Sequence, residues 1–141
     1  MRLDPYINFR GSAREAMTFY QSVLGGELVI DTFGTFEGMV SDPAESDLVM
    51  HAQLTTPDGL VLMASDVPSE MPYTTPGGVS LSLSGEDEAR ISSAFDSFAA
   101  HGSVAMPFET QVWGAKFGMV TDQFGITWMF AMSSASSGPE A

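Results

Sequence analysis

Two stretches of the chain read as degenerate copies of one unit. The segment Phe19–Leu28 aligns with Phe95–Val104, and Thr56–Met63 aligns with Asp122–Met129 in the same order, glycine on glycine and Met63 on Met129. An internal duplication limits the fold more than any single residue does. Each copy is one supersecondary unit, and a site built by the pair has to draw on matching positions.

At 141 residues the chain suits one compact domain, so the halves read as modules of one unit. With 44% hydrophobic and 16% charged residues it is not a disordered chain. Its ten methionines read first as adaptable core filler, with a Met-lined cleft as the competing reading. The net charge is −13, and Arg2, Arg10, Arg14, Arg90 and Lys116 are the only basic side chains apart from two histidines. They do not cluster, which argues against a nucleic-acid partner. The acidity serves solubility; the sharper reading is that it attracts a cationic small molecule. No cysteine is present, so disulfides and thiol chemistry are excluded. Met1–Pro5 does not read as a signal peptide and no apolar run is long enough to span a bilayer, so the expected setting is cytoplasmic, without a membrane partner.

Along the chain, Tyr6–Phe9 alternates as a short strand. Ser12-Ala13-Arg14-Glu15 has the form of a capping box, followed by a helix with Ala13, Ala16, Met17, Tyr20, Val23 and Leu24 on one stripe. Gly25-Gly26 ends it, and Glu27–Phe33 is a strand. Gly34–Asp47 reads as a mobile loop, and Leu48–Thr55 with Leu60–Ser65 as a hairpin across Pro57-Asp58-Gly59. Val79–Ser84 alternates strictly. Ser84-Gly85-Glu86-Asp87 resembles a second capping box, before a helix carrying Ile91, Ala94, Phe95 and Phe98 and stopping at Gly102. Strands near Val104–Val112, Phe117–Thr121 and Ile126–Met132 complete the order β-α-β-β-β, twice. The expected organisation is one domain over 1–132, with module one at 1–66, a linker at 67–77 and module two at 78–132, followed by a flexible tail at 133–141.

This order resembles the glyoxalase/bleomycin-resistance/dioxygenase (vicinal oxygen chelate) superfamily, and its PhnB-like branch in particular. The resemblance is carried by Pro5–Phe9, Ala16–Tyr20 running into Gly25-Gly26-Glu27, Met50–Leu54, Val79–Leu83 and, most specifically, Trp113–Met129. It implies an α+β fold of two tandem βαβββ modules forming a curved mixed sheet around a cavity, and a homodimer. In the family's metal enzymes, His and Glu side chains on the first and last strands of each module converge on the metal. Here the first-strand positions fall near Tyr6 or Asn8 and near Ser80 or Ser82, and the last-strand carboxylates fall on Met63 and Met129. A thioether is a poor ligand for Mg, Mn, Fe(II) or Zn, so no metal ligand and no cofactor is assigned.

Strand alternation reaches the lining by a second route. Val79, Leu81 and Leu83 should lie under a helix, leaving Ser80 and Ser82 on the cavity side; likewise Ile7 and Phe9 against Tyr6 and Asn8, and Met50, Ala52 and Leu54 against His51 and Gln53. The expected ligand-binding set is Tyr6, Asn8, His51, Gln53, Met63, Ser80, Ser82, Glu109, Trp113 and Met129. Simple solvation of these faces is the competing reading. His51 is the candidate catalytic residue, as a general base or lone metal ligand, against a strand histidine satisfied by a neighbour. Trp113 is set to wall a cavity by stacking or to pack in a core or dimer interface. Glu109 is the nearest carboxylate to that region or an exposed strand residue. Trp128 should point into the core, and Asp58 and Asp122 should hold turns by bonding their own backbone. Three functions remain open: a non-catalytic small-molecule binder; a metal-dependent lyase, isomerase or dioxygenase-type enzyme with an atypical site around His51; and a homodimeric accessory protein without a ligand.

Overall fold

The strand alternation and the two helical stripes are realised as β-α-β-β-β twice in the computed structural model, which describes residues 1–133; the expected tail beyond residue 133 lies outside the described residues. Module one comprises β1 (Tyr6–Phe9), α1 (Ala13–Leu24), β2 (Glu27–Thr32), β3 (Val49–Thr55) and β4 (Val61–Asp66). Module two comprises β5 (Ser80–Gly85), α2 (Glu88–His101), β6 (Ser103–Thr110), β7 (Lys116–Thr121) and β8 (Thr127–Met132). Each module builds its own four-stranded mixed sheet, in the orders β1-β4-β3-β2 and β5-β8-β7-β6. The outer pairs β1/β4 and β5/β8 are parallel and the other pairs antiparallel. The class is α+β, with two similar modules in tandem. The chain divides into compact units after Pro76, and the segment following β4 stays on the first through Val67 N–H to the Phe9 carbonyl (2.7 Å).

In each module one helix covers one face of the sheet. The buried stripe of α1 is Ala13, Ala16, Met17, Tyr20 and Leu24, with Val23 half-buried at its margin. That of α2 is Ile91, Ala94, Phe95 and Phe98. Below α1 lie Ile7, Phe9, Ala52, Leu54, Leu62 and Ala64; below α2, Phe98 meets Trp128 (4.8 Å between rings) and Phe130 (5.6 Å). Burying each such large side chain contributes about 1.5–3 kcal/mol.

The repeated glycines have a common steric cause. A Cβ on Gly26 would stand 2.2 Å from the Thr55 carbonyl oxygen, and one on Gly102 would stand 2.5 Å from the Thr121 oxygen. Thr55 and Thr121 are themselves equivalent, so in both copies the helix exit passes against the β-hairpin. Gly26 also needs its positive φ of 100°, whereas Gly102 has φ −108° and is required for space alone.

Several local expectations change. Ser12 makes no side-chain cap; the buried Asp66 at the end of β4 takes its place, its Oδ1 accepting from Gly11 N–H (2.8 Å) and Ala13 N–H (3.0 Å) and its Oδ2 from Val49 N–H (2.9 Å). A charged acceptor that ties together three chain segments outcompetes a local serine. At α2 the N-cap is Asp87, accepting from Arg90 N–H (3.1 Å), and Ser84 belongs to β5. The loop after β2 carries two short 3-10 turns, with Gly34 N–H donating to the Ser46 carbonyl (2.8 Å) and both Glu45 carboxylate oxygens accepting from Ser69 (3.0 Å each). Strand β6 ends at Thr110, because Gln111 N–H already bonds Ala115 to close the turn. Val79, expected under a helix, lies before β5 and is exposed.

The turns at Thr56 and Asp122 are built alike. Each residue's N–H donates to the carbonyl four residues on, each carbonyl accepts from the glycine three residues on, and each side-chain oxygen accepts from the backbone N–H four residues on. Asp122 does more: its carboxylate also accepts from Phe124 N–H and from the Trp128 indole (2.9 Å each). Trp128 is buried, as its parity predicts. Asp58 accepts from the Thr56 hydroxyl (2.5 Å).

Candidate functional site

The helices leave the opposite face of each sheet uncovered within its module, and there the odd–even parity of the strands decides what is displayed. On module one, Ile7 and Phe9 are buried while Tyr6 and Asn8 are exposed, as alternation requires. The register puts Tyr6, Met63, Gln53 and Val29 in one row across β1, β4, β3 and β2. Beside it, Asn8 opposes Ser65 and His51 opposes Asp31. The Tyr6 hydroxyl lies 3.3 Å from His51 Nδ1 with the rings 5.7 Å apart. Either group can donate, depending on the imidazole tautomer. His51 is thus partnered across the sheet, and Tyr6, Asn8, His51, Gln53 and Met63 are brought to one surface.

Part of that surface is concave. An open depression of about 410 Å³ is lined by Glu27, Val29, His51, Gln53 and Thr55. Glu27, Val29 and Thr55 were not among the expected lining residues. Their signal is present in β2, where Glu27, Val29 and Asp31 alternate with Leu28 and Ile30, but the valine breaks the polar set. In β3 the expected apolar set also fails at one end: Val49 is buried and Met50 is not. A bulge lies between the Asp31/His51 and Thr32/Val49 pairs, and the extra residue reverses the parity of everything before it.

On module two the matching row runs Ser82, Met129, Met119, Met106 across β5, β8, β7 and β6. Ser80 lies in the neighbouring row with Thr127, Thr121 and Ser103. Ser80 and Ser82 are exposed and Met129 is half-buried. Glu109 is exposed and opposes Phe117, against whose ring the 60%-exposed Trp113 stands edge-on at 6.0 Å. The structure therefore gathers Ser82, Met129, Glu109 and Trp113 on or beside one module-two surface.

The donor set tests the metal that the fold family implies. Met63 occupies the strand position equivalent to Met129 in its row, opposite Tyr6 as Met129 is opposite Ser82. Neither offers the oxygen or nitrogen donor that Mg, Mn, Fe(II) or Zn prefers. Among the described residues no three His, Cys, Asp or Glu side chains form a group able to hold a metal ion. These residues do not fit the family's divalent centre.

Comparison with known proteins gives a consistent picture. The sequence model of the Glyoxalase/Bleomycin resistance protein/Dioxygenase superfamily matches residues 2–130. Protein YjdN of Escherichia coli K12 is 31% identical over 140 residues, covering 92% of this chain and 93% of YjdN. The crystal structure of PA1353 from Pseudomonas aeruginosa is 38% identical, with a TM-score of 0.82, covering 94% of this chain and 98% of that one. The PhnB protein from Bacillus cereus is 28% identical, with a TM-score of 0.73 over 94% of this chain and all of that one. No helix among the described residues is long and apolar enough to cross a membrane.

Proposed function

The chain belongs to the Glyoxalase/Bleomycin resistance protein/Dioxygenase superfamily, and from that membership we infer that it is a PhnB-like binder of a cationic small molecule, working without the family's divalent-metal site. The observation that carries this reading is the depression on module one, where Glu27 lines the wall beside His51, Gln53 and Thr55. Asp31 opposes His51 on the same face. The cations of module one are committed elsewhere: Arg2 to Asp4, Arg10 to the Pro68 and Met71 carbonyls, and Arg14 to the Asp47 carbonyl. An ammonium or guanidinium group would meet carboxylate there, with the net charge of −13 drawing it in. Tyr6, His51 and Gln53 supply directional hydrogen bonds, and Val29 and Met63 apolar contact. On module two, Ser80, Ser82, Glu109, Trp113 and Met129 are the corresponding recognition residues.

The test is a thermal-shift screen of matched cationic and anionic compounds, followed by calorimetry on the hits. Stabilisation should be confined to cations, and Glu27→Gln should weaken binding by about tenfold or more, since a charged hydrogen bond contributes about 1.5–3 kcal/mol. Anionic hits that bind Glu27→Gln as well as the wild type would overturn the reading. So would stoichiometric Zn, Mn, Ni or Fe in untagged protein by ICP-MS, lost on His51→Ala, which is the outcome that an enzyme with an atypical centre at His51 requires.

A further inference from the structure

The misfit between module two and a divalent centre has a chemical direction of its own. Met106, Met119 and Met129 are consecutive register partners on β6, β7 and β8. All three are half-buried, and Met129 alternates with Trp128 and Phe130, which pack against Phe98 of α2, so the row falls on the opposite face. The outer two backbones are roughly 10 Å apart, two strand spacings. Unbranched side chains with three rotatable bonds can bring three sulfurs toward one point above β7. Side chains on this face do meet across β7 and β8: in the next register pair, the Thr121 and Thr127 hydroxyls are 3.2 Å apart. The fourth member of the row is Ser82, so the row itself holds no carboxylate or imidazole.

Met106 reaches this face through an irregularity. Val104 opposes Val120, on the helix side, and an unbroken ladder would set Met106 opposite Gly118, on that same side. The bulge between Val104 and Met106 instead sets Met106 opposite Met119. Module one lacks the arrangement, since Met63 stands between Tyr6 and Gln53.

Thioethers select soft, monovalent metal over the divalent ions that N and O donors hold. We propose that Met106, Met119 and Met129 form a three-thioether site for Cu(I).

Full-length untagged protein is titrated anaerobically with Cu(I) against a chromogenic chelator, and with Ag(I) as a redox-inert stand-in read by native mass spectrometry. The expected result is one ion per chain. Met119→Leu should lower affinity by at least the roughly tenfold that loss of an outer-shell partner costs at metal sites. The Met106→Leu/Met119→Leu/Met129→Leu variant should lose the ion, and Met39→Leu and Met71→Leu, at exposed positions elsewhere, should keep it. Leu for Met conserves volume, so circular dichroism should be unchanged. If the triple variant does not fold, methionine-methyl NMR of the wild type decides: Ag(I) must move the resonances of these three residues. No stoichiometric ion, full affinity in a folded triple variant, or shifts confined to other methionines would each overturn the proposal.

Discussion

The two modules share a topology and differ in almost everything their uncovered faces display. Equivalent rows read Tyr6, Met63, Gln53, Val29 on one sheet and Ser82, Met129, Met119, Met106 on the other. The positions held in common, Gly26 with Gly102 and Thr56 with Asp122, sit where backbone approaches backbone or a turn closes. Sheet-face positions answer to no such constraint, because each side chain there points away from the packed helix. The duplication thus preserved the scaffold and left the two faces free to diverge, one toward hydrogen bonding and carboxylate, the other toward hydroxyls and thioethers.

Breaking the shared scaffold should cost most where one module depends on a long-range contact that the other does not use. The N-terminus of α1 relies on Asp66, 3% exposed and holding three backbone N–H groups; α2 is capped by its own Asp87. Asp66→Ala leaves those donors unsatisfied and should cost about 4 kcal/mol, read as a fall in the urea midpoint. Next come the equivalent glycines. Gly26→Ala combines a clash with an unfavourable positive φ and should cost about 3 kcal/mol, against about 2 kcal/mol for Gly102→Ala, which meets only the clash. Equal costs in thermal melts would remove the conformational half of that argument. Asp87→Ala deletes a local cap and should cost about 1 kcal/mol, leaving module one untouched by amide hydrogen exchange. The smallest effect on stability is expected at Tyr6→Phe, within about 0.5 kcal/mol because the pair it breaks is exposed. The same substitution should weaken binding of any cationic hit, and unchanged affinity by calorimetry would take Tyr6 out of the recognition face.

Much of this was legible in the residues. The stripes of both helices, the parity that buries Ile7 and Phe9 and exposes Tyr6 and Asn8, and the inward placing of Trp128 all follow from periods of 3.6 and 2. Parity fails where a strand ends early, as at Val79, or across a bulge. Val49 and Met50 exchange roles beside one, and Met106 is turned onto the open face by another. A bulge is a property of two paired strands, so neither strand announces it alone. Ser12 is the same lesson in a helix cap: its local pattern is sound, but a buried carboxylate from a strand more than fifty residues away reaches the free N–H groups first.

What the sequence by itself determined is the duplicated β-α-β-β-β scaffold, its helix-covered core, and the matching of Met63 with Met129 in the two copies. These are periodic or positional facts, and each is contained in one short stretch of chain or in the comparison of two. Only the tertiary structure decided that His51 pairs with Tyr6, that Glu27 borders the same depression, and that three methionines stand abreast on module two. Those neighbours are brought together by strand register, which depends on turns, bulges and a buried Asp66 acting between segments far apart in the chain.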